Sequence, residues 1–219
     1  MQTPASWIEL GRQGAFTTSQ VAALVGSTSE RVASWLSGNP PLIQSDLPSV
    51  AGRKAVSFEG LIEARAIAYL LHEGVSRRRL AKLMETMRRR TQDRHPLARD
   101  RELITNGLVV YEVEDGKIIN LLNECYAADA IIRPSLAGRV EFRSGRAAWL
   151  EPYPDDLPFV RIDPARAFGR PVVVDTLTVP TETLAAAAAL DGREEAADWF
   201  GVSEEAVDQA VIFEERIAA

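Results

Sequence analysis

Side chains suited to contact with nucleic acid recur in the first hundred residues of the chain. One set combines short hydroxyl side chains with a guanidinium: Thr28, Ser29, Arg31 and Ser34. The remaining candidates are cations: Arg53, Lys54, Arg88, Arg89 and Arg90. Lysine and arginine neutralise phosphates, whereas polar groups on an exposed helix read base edges. We therefore expect the first set to read DNA bases and the cations to contact the DNA backbone.

Groups suited to catalysis are sparse. His72 and His95 are the only histidines, and each lies by a predicted helix end, where surface or capping roles are common. No Cys/His cluster has the spacing of zinc ligands, and no glycine-rich phosphate loop follows a strand. We expect no catalytic residue, no metal and no cofactor, and hence no enzyme. A small hydrolase is the alternative from another class, and it would need carboxylates that converge in a pocket.

One local pattern occurs three times: an apolar helical run, a glycine, small residues with a Ser or Thr, and a second helical run. The copies lie at 22–29, 71–76 and 199–203. Glycine supplies the left-handed residue that ends one helix, and the hydroxyl caps the next. Each copy therefore predicts a helix-turn-helix corner, a motif that many proteins use to present a helix to DNA.

The first corner carries the fullest set of local signals. Thr17 precedes Gln20, and Ser27 precedes Glu30, at the spacing of a capping box. These signals predict a two-helix unit over 17–37 whose second helix exposes the hydroxyl and guanidinium set. A corner buried inside a scaffold is the alternative interpretation of this pattern.

The second corner joins an apolar helix to a basic one. The helix capped by Ser57 has apolar residues around most of its circumference, which predicts burial. After Ser76 an apolar seam repeats at helical spacing, and ten basic residues lie within 77–101. This basic face, with Arg88–Arg90, predicts a salt-dependent contact along DNA. A solvated surface, or one that pairs with the acidic C-terminal part, would also fit.

Alternating apolar residues predict two β-hairpins in the middle of the chain. One spans 108–119 and turns at Asp115-Gly116, and the other spans 140–150. We expect a small central antiparallel sheet, with a helix over 120–132 between the hairpins. Three further helices are predicted beyond this region: 182–190, 193–200 and 204–217.

The charge is divided unevenly along the 219 residues. The net charge is −6, but residues 1–100 hold 14 Lys/Arg against 9 Asp/Glu, whereas residues 101–219 hold 11 against 22. The first part can therefore approach phosphates, and the second would repel them. Cys125 is the single cysteine, which fits a reducing compartment. With no secretory leader pattern and no bilayer-spanning apolar run, we expect a cytoplasmic protein without membrane contact.

The third corner is too acidic for DNA. Residues 191–216 hold nine carboxylates and two arginines, so we expect a protein-contact or dimerisation unit. The apolar residues expected on its contact face and at its end are Val207, Val211, Ile212, Trp199 and Phe200. A self-contained acidic domain without a partner is the alternative.

Two segments resemble known families. Residues Phe16 to Gly26, with Trp35-Leu36, resemble the start of a MerR-like winged helix-turn-helix domain, and 53–65 with 72–76 look like its wing and next two helices. A second stretch is similar to the domain of unknown function numbered 433 over 158–215. The residues that carry this second resemblance are Ile162-Asp163-Pro164, Phe168 to Val173, Val179-Pro180-Thr181, Gly192 and Gly201 to Val207.

The combination of these two segments resembles VapB-type antitoxins of bacterial toxin–antitoxin operons. The resemblance implies a PIN-like ribonuclease toxin as protein partner and double-stranded operator DNA as the second partner. It also implies autorepression, with Arg216 as a candidate plug for the acidic metal site of the toxin. We expect a homodimer or higher oligomer, since corner-type readers bind paired half-sites. A stand-alone dimeric MerR-like regulator without a toxin is the alternative.

The predicted fold is therefore mainly helical α+β. It comprises an N-terminal winged helix-turn-helix domain over 12–95, a small antiparallel β region over 96–155, and an acidic helical domain over 156–219 with three helices and a helix-turn-helix-like corner.

Overall fold

The computed structural model describes residues 13–49, 54–99, 102–105, 110–114, 117–120, 125–126 and 139–218. The protein is mainly helical with small antiparallel sheets, as predicted. Its described residues group into two compact units. The N-terminal unit contains 17–126 and 144–147, and the C-terminal unit contains 13–16, 139–143 and 148–218. The three domain ranges expected from sequence stay a prediction.

The first corner of the N-terminal unit forms as the capping signals predict. Helix α1 (Thr18–Val25) follows Thr17, whose side-chain oxygen accepts a hydrogen bond from the Gln20 N–H, and Gln20 Oε1 accepts one from the Thr17 N–H. Gly26 ends α1 in the left-handed conformation. Helix α2 (Ser29–Ser37) is capped by Thr28, one residue later than the predicted Ser27. The corner therefore lies where it was predicted, but its second helix is capped one residue later than predicted.

Two longer helices pack behind this corner. Helix α3 (Phe58–His72) begins after the Ser57 cap and is buried along most of its length, as its apolar circumference predicts. Helix α4 (Arg77–Thr91) begins after the Ser76 cap. Its apolar seam is fully buried, and the residues of that seam are Leu80, Leu83, Met84 and Met87. The remainder of α4 presents mostly basic side chains.

The central β region differs from its prediction. Strands β1 (Phe16–Thr17) and β2 (Ala55–Val56) form a two-stranded sheet. A four-stranded antiparallel sheet contains β3 (Glu102–Thr105), β4 (Val110–Glu114), β5 (Lys117–Asn120) and β6 (Cys125–Tyr126). The helix expected over 120–132 is wrong at Cys125–Tyr126, because these residues pair with β5. The turn at 115–116 and residues 127–132 lie outside the described residues.

The second predicted hairpin belongs to a separate sheet. Strands β7 (Val140–Arg143), β8 (Arg146–Leu150), β9 (Val160–Ile162) and β10 (Pro171–Val173) lie side by side in chain order. The two hairpins therefore do not share one central sheet. β9 and β10 pair with Val172 opposite Arg161.

Three helices complete the C-terminal unit, close to their predicted bounds. They are α5 (Thr181–Asp191), α6 (Arg193–Phe200) and α7 (Glu204–Ala218). Small and branched side chains from β10 and these helices form its core, which contains Val173, Leu184, Ala196, Ala197, Ala206, Val207 and Ala210. None of the described helices combines the length and apolar character needed to cross a bilayer.

Candidate nucleic-acid interface

Helix α2 divides into a packed face and an exposed face. Val32, Trp35 and Leu36 are buried against the N-terminal unit. The four residues expected to read bases all lie on the exposed side: Thr28, Ser29, Arg31 and Ser34. The alternative of a corner buried inside a scaffold does not fit this arrangement, because the predicted contact residues remain open to solvent.

Local hydrogen bonds fix part of this exposed face. Thr28 Oγ1 accepts from the Arg31 N–H at 3.3 Å, and Ser34 Oγ donates to the Arg31 carbonyl at 2.7 Å. Among the described residues, none accepts a hydrogen bond from the Arg31 guanidinium. The Arg31 side chain is therefore available to a ligand, whereas the backbone around it is held by its neighbours.

Two cations lie at the C-terminal end of α2. Lys54 Nζ donates to the Leu36 carbonyl at 3.3 Å, and Arg77 Nη2 donates to the Ser34 carbonyl at 3.1 Å. Positive charge is favourable here because the last carbonyls of a helix carry partial negative charge. Lys54 therefore lies beside α2, and its expected contact with the DNA backbone stays a prediction. Arg53 lies outside the described residues.

Arg77 is a neighbour of α2 that sequence patterns did not single out. Its guanidinium lies so close to Gly38 that a Cβ there would clash with Nη2. Arg77 follows Ser34 by 43 positions, and no local spacing connects residues so far apart. The start of a basic helix after Ser76 was the available signal, but it does not show which arginine faces α2.

Arg88 is placed in the interior, which removes it from the predicted DNA contacts. Its side chain is 12% exposed and forms an ion pair with Glu63 at 3.2 Å. Its guanidinium also donates to the carbonyls of Pro41, Leu42 and Arg94. A guanidinium that is enclosed and occupied in this way cannot reach a phosphate without breaking these bonds.

Arg89 and Arg90 stand on the outer side of α4. Both are exposed, and both also take part in other interactions within the protein. Their position is compatible with the expected phosphate contacts, which stay a prediction.

The N-terminal unit also contains a buried cluster of charged groups that the sequence did not reveal. His95 Nδ1 lies 3.0 Å from Glu63 Oε2, and His95 Nε2 lies 3.0 Å from Asp46 Oδ2. His95 is 2% exposed, so the expected surface or capping role is wrong for this residue. His72, in contrast, is exposed at the end of α3.

The cluster holds His95 in its charged form. Burial alone would lower the pKa of His95, but the hydrogen bonds with Asp46 and Glu63 outweigh it and raise the pKa to about 9. Burial raises the pKa of Glu63, although His95 and Arg88 oppose that effect. For Asp46, bonds to His95 and Ser57 outweigh burial and lower the pKa. The cluster thereby connects the segment after α2 to α3 and to the segment after α4.

The candidate contact residues of the C-terminal unit separate into core and surface. Val207 lies in the core, so it cannot form a contact face, whereas Phe200, expected at the end of the corner, is half-buried and packs against that core. Trp199 and Ile212 are exposed, and Val211 is half-buried. Arg216 Nη1 forms an ion pair with Asp156 Oδ2 at 3.2 Å, and its guanidinium lies 4.4 Å from the centre of the Tyr153 ring. The proposed plug is thus already engaged within its own unit.

Comparison with known proteins gives information about the fold. No protein-family profile and no curated protein matches this chain. The crystal structure of Rv2018 from Mycobacterium tuberculosis is similar, with a TM-score of 0.62 and 16% identity over 90% of this chain and 96% of that one. This likeness supports the mainly helical α+β fold over most of the chain and says nothing of activity.

Proposed function

We propose that this protein is a cytoplasmic, homodimeric antitoxin that binds operator DNA to repress its own operon and neutralises a PIN-like ribonuclease by protein contact. The main observation in favour of DNA binding is the exposed polar face of α2. This helix belongs to a helix-turn-helix corner and is capped by Thr28. Side chains on such a face contact base edges when the helix enters the major groove.

The charges near α2 support this role. Lys54 and Arg77 lie at its C-terminal end, where both cations can also approach DNA phosphates. The buried cluster of Asp46, Glu63 and His95, with Arg88, joins the segment after α2 to α3, to α4 and to the segment after α4. A DNA-contacting helix that is already held rigidly loses little conformational entropy when it binds DNA.

The antitoxin part rests on the resemblance to VapB-type proteins and on the acidic C-terminal unit, whose charge excludes DNA as its ligand. Co-expression with the adjacent gene tests this part. A PIN-like protein that is toxic alone, and that copurifies in neutralised form with this chain, supports the antitoxin. If no such interaction occurs, the stand-alone regulator remains, because the DNA-binding part is independent of a toxin.

Arg31→Ala tests the DNA part. Loss of a base-edge contact should weaken binding to the chain's own promoter by about tenfold or more, and should weaken binding to unrelated DNA far less. Fluorescence anisotropy with labelled promoter and scrambled duplexes measures both affinities at one fixed salt concentration.

Arg166→Ala is the matched control, because Arg166 is an exposed arginine of the C-terminal unit. It should bind the promoter like the unmodified protein. Equal promoter affinity of Arg31→Ala and Arg166→Ala would remove α2 as the reading helix.

A further inference from the structure

Trp199 is the most solvent-exposed aromatic side chain among the described residues, at 83% exposure on α6. Glu195 lies one helical turn before it on the same side of the helix, and Asp198 is its chain neighbour. A tryptophan in this position gains no stabilisation from burial in the isolated protein. Tryptophan is also a frequent anchor of protein interfaces.

The register of α6 keeps this ring outside. Ala196 and Ala197 face the core, and Phe200 packs against it. The buried side of α6 is therefore already filled, and Trp199 cannot turn inward without displacing these residues. Its exposure follows from the helix packing rather than from a local rotamer.

The surroundings of Trp199 carry uncompensated negative charge. Both arginines of 191–216 are already paired, Arg193 with Asp208 at 2.6 Å and Arg216 with Asp156 at 3.2 Å. The exposed carboxylates of the α6 and α7 corner are Glu194, Glu195, Asp198, Glu204 and Glu205. This surface repels phosphate, and a cationic protein surface complements it.

We propose that Trp199, Glu195 and Asp198 form the docking surface for the cationic RNA-binding surface of the ribonuclease, and this inference rests on the proposed function. A ribonuclease must collect a polyanion, so its substrate surface carries lysine and arginine. Carboxylates pair with these cations, and the indole face attracts a guanidinium. The docked C-terminal unit would exclude RNA by occupying the same cations, without a plug in the metal site.

A second copy of this chain is the competing occupant. The outer face of α4 is also cationic, with Arg78, Arg79 and Lys82 exposed. That face offers no exposed large apolar side chain among the described residues, whereas Trp199 would be best buried in a partly apolar site. The α4 face therefore does not complement Trp199, and the oligomeric state of the chain alone distinguishes a second copy from the ribonuclease.

The test measures inhibition of the purified ribonuclease encoded beside this gene, with RNA as substrate and the full chain as inhibitor. Trp199→Ala should weaken inhibition by about tenfold or more. Glu195→Gln with Asp198→Asn should weaken it severalfold and reduce its dependence on salt. Phe168→Ala is the matched control: Phe168 is 71% exposed in the same unit but lies between Arg166 and Arg170 in sequence rather than among carboxylates. It should inhibit normally.

The outcomes separate this inference from the function on which it rests. If the unmodified chain inhibits and both surface variants inhibit equally well, the docking surface is overturned and the antitoxin function stands. If the unmodified chain does not bind the ribonuclease, the antitoxin function fails and the docking surface fails with it. If Trp199→Ala instead dissociates an oligomer of the chain alone in light scattering, the occupant is a second copy, which also overturns the inference. Unchanged circular dichroism and promoter affinity confirm that the variants are folded.

Discussion

The His95 imidazolium, held between two carboxylates, makes the stability of the N-terminal unit depend on pH. Its pKa is about 9 in the folded protein, against an ordinary value of 6.5. A raised pKa means that the folded state binds the proton more tightly than the unfolded state does. The contribution of His95 is therefore complete below about pH 6.5 and is lost as the pH rises through 9.

We predict that the free energy of unfolding falls by about 2 kcal/mol between pH 7 and 9.5 because His95 loses its proton. Urea unfolding at both pH values measures the fall. In His95→Gln the fall should largely disappear, since glutamine does not titrate. His72→Gln is the matched control, because His72 is exposed, and it should keep the full pH dependence. An unchanged fall in His95→Gln would assign the effect to another group.

Arg88 and His95 show why residue types alone misplace side chains. Arg88 belongs to a run of three arginines, and its sequence neighbourhood gives the same expectation for all three. Only the fold brings Glu63 and the carbonyls of Pro41 and Leu42 to its guanidinium. The partners of His95 lie 32 and 49 positions earlier in the chain. No periodic pattern in the sequence indicates contacts between residues that lie so far apart in the chain.

Helix ends, in contrast, are largely encoded locally. The capping box at Thr17 and the left-handed glycine at Gly26 involve residues within a few positions of each other, so their spacing predicts them directly. The helix expected over 120–132 is wrong at Cys125–Tyr126 for the opposite reason. The composition of this segment tolerates a helix, but pairing of Cys125–Tyr126 with β5 decides the outcome.

The left-handed Gly26 gives a prediction about the first corner. Gly26 has φ of 64°, and a Cβ there would meet no atom within 4 Å. Gly26→Ala should therefore cost only backbone strain, about 1 kcal/mol of the free energy of unfolding. Gly26→Asn should cost less, since asparagine tolerates this conformation better. Urea unfolding compares the three proteins.

Gly201→Ala is the matched control for the corner, because Gly201 has the same φ and equally open surroundings in the C-terminal unit. It should lose a similar amount of stability and keep its promoter affinity. Equal stability of Gly26→Ala and Gly26→Asn would contradict the strain argument.

Taken as one chain, the protein separates charge by unit. The basic side chains that surround α2 and cover α4 belong to the N-terminal unit, and the acidic corner of α6 and α7 belongs to the C-terminal unit. This division was visible in the sequence, because it depends on composition along the chain rather than on contacts. The proposed assignment of one ligand class to each unit rests on this division, since a phosphate backbone and a carboxylate surface repel each other.

The salt dependence of DNA binding tests whether the basic side chains of the N-terminal unit contact phosphates. Arg89→Gln with Arg90→Gln should weaken binding to promoter and unrelated DNA by the same factor, because phosphate contacts carry no sequence information. Each lost phosphate contact lowers the steepness of log affinity against log salt by roughly 0.9. The double variant should therefore reduce that slope by about 2, measured by anisotropy from 50 to 200 mM salt, roughly the range over which such contacts are resolved.

Arg143→Gln in the C-terminal unit is the control for this experiment, since Arg143 is exposed on β7, and it should leave the slope unchanged. A loss of affinity confined to the promoter would instead place Arg89 or Arg90 among the base contacts. An unchanged slope in the double variant would show that Arg89 and Arg90 do not contact the phosphates, and would leave the cations at the end of α2 and the other exposed cations of α4, Arg78, Arg79 and Lys82, to supply the backbone contacts.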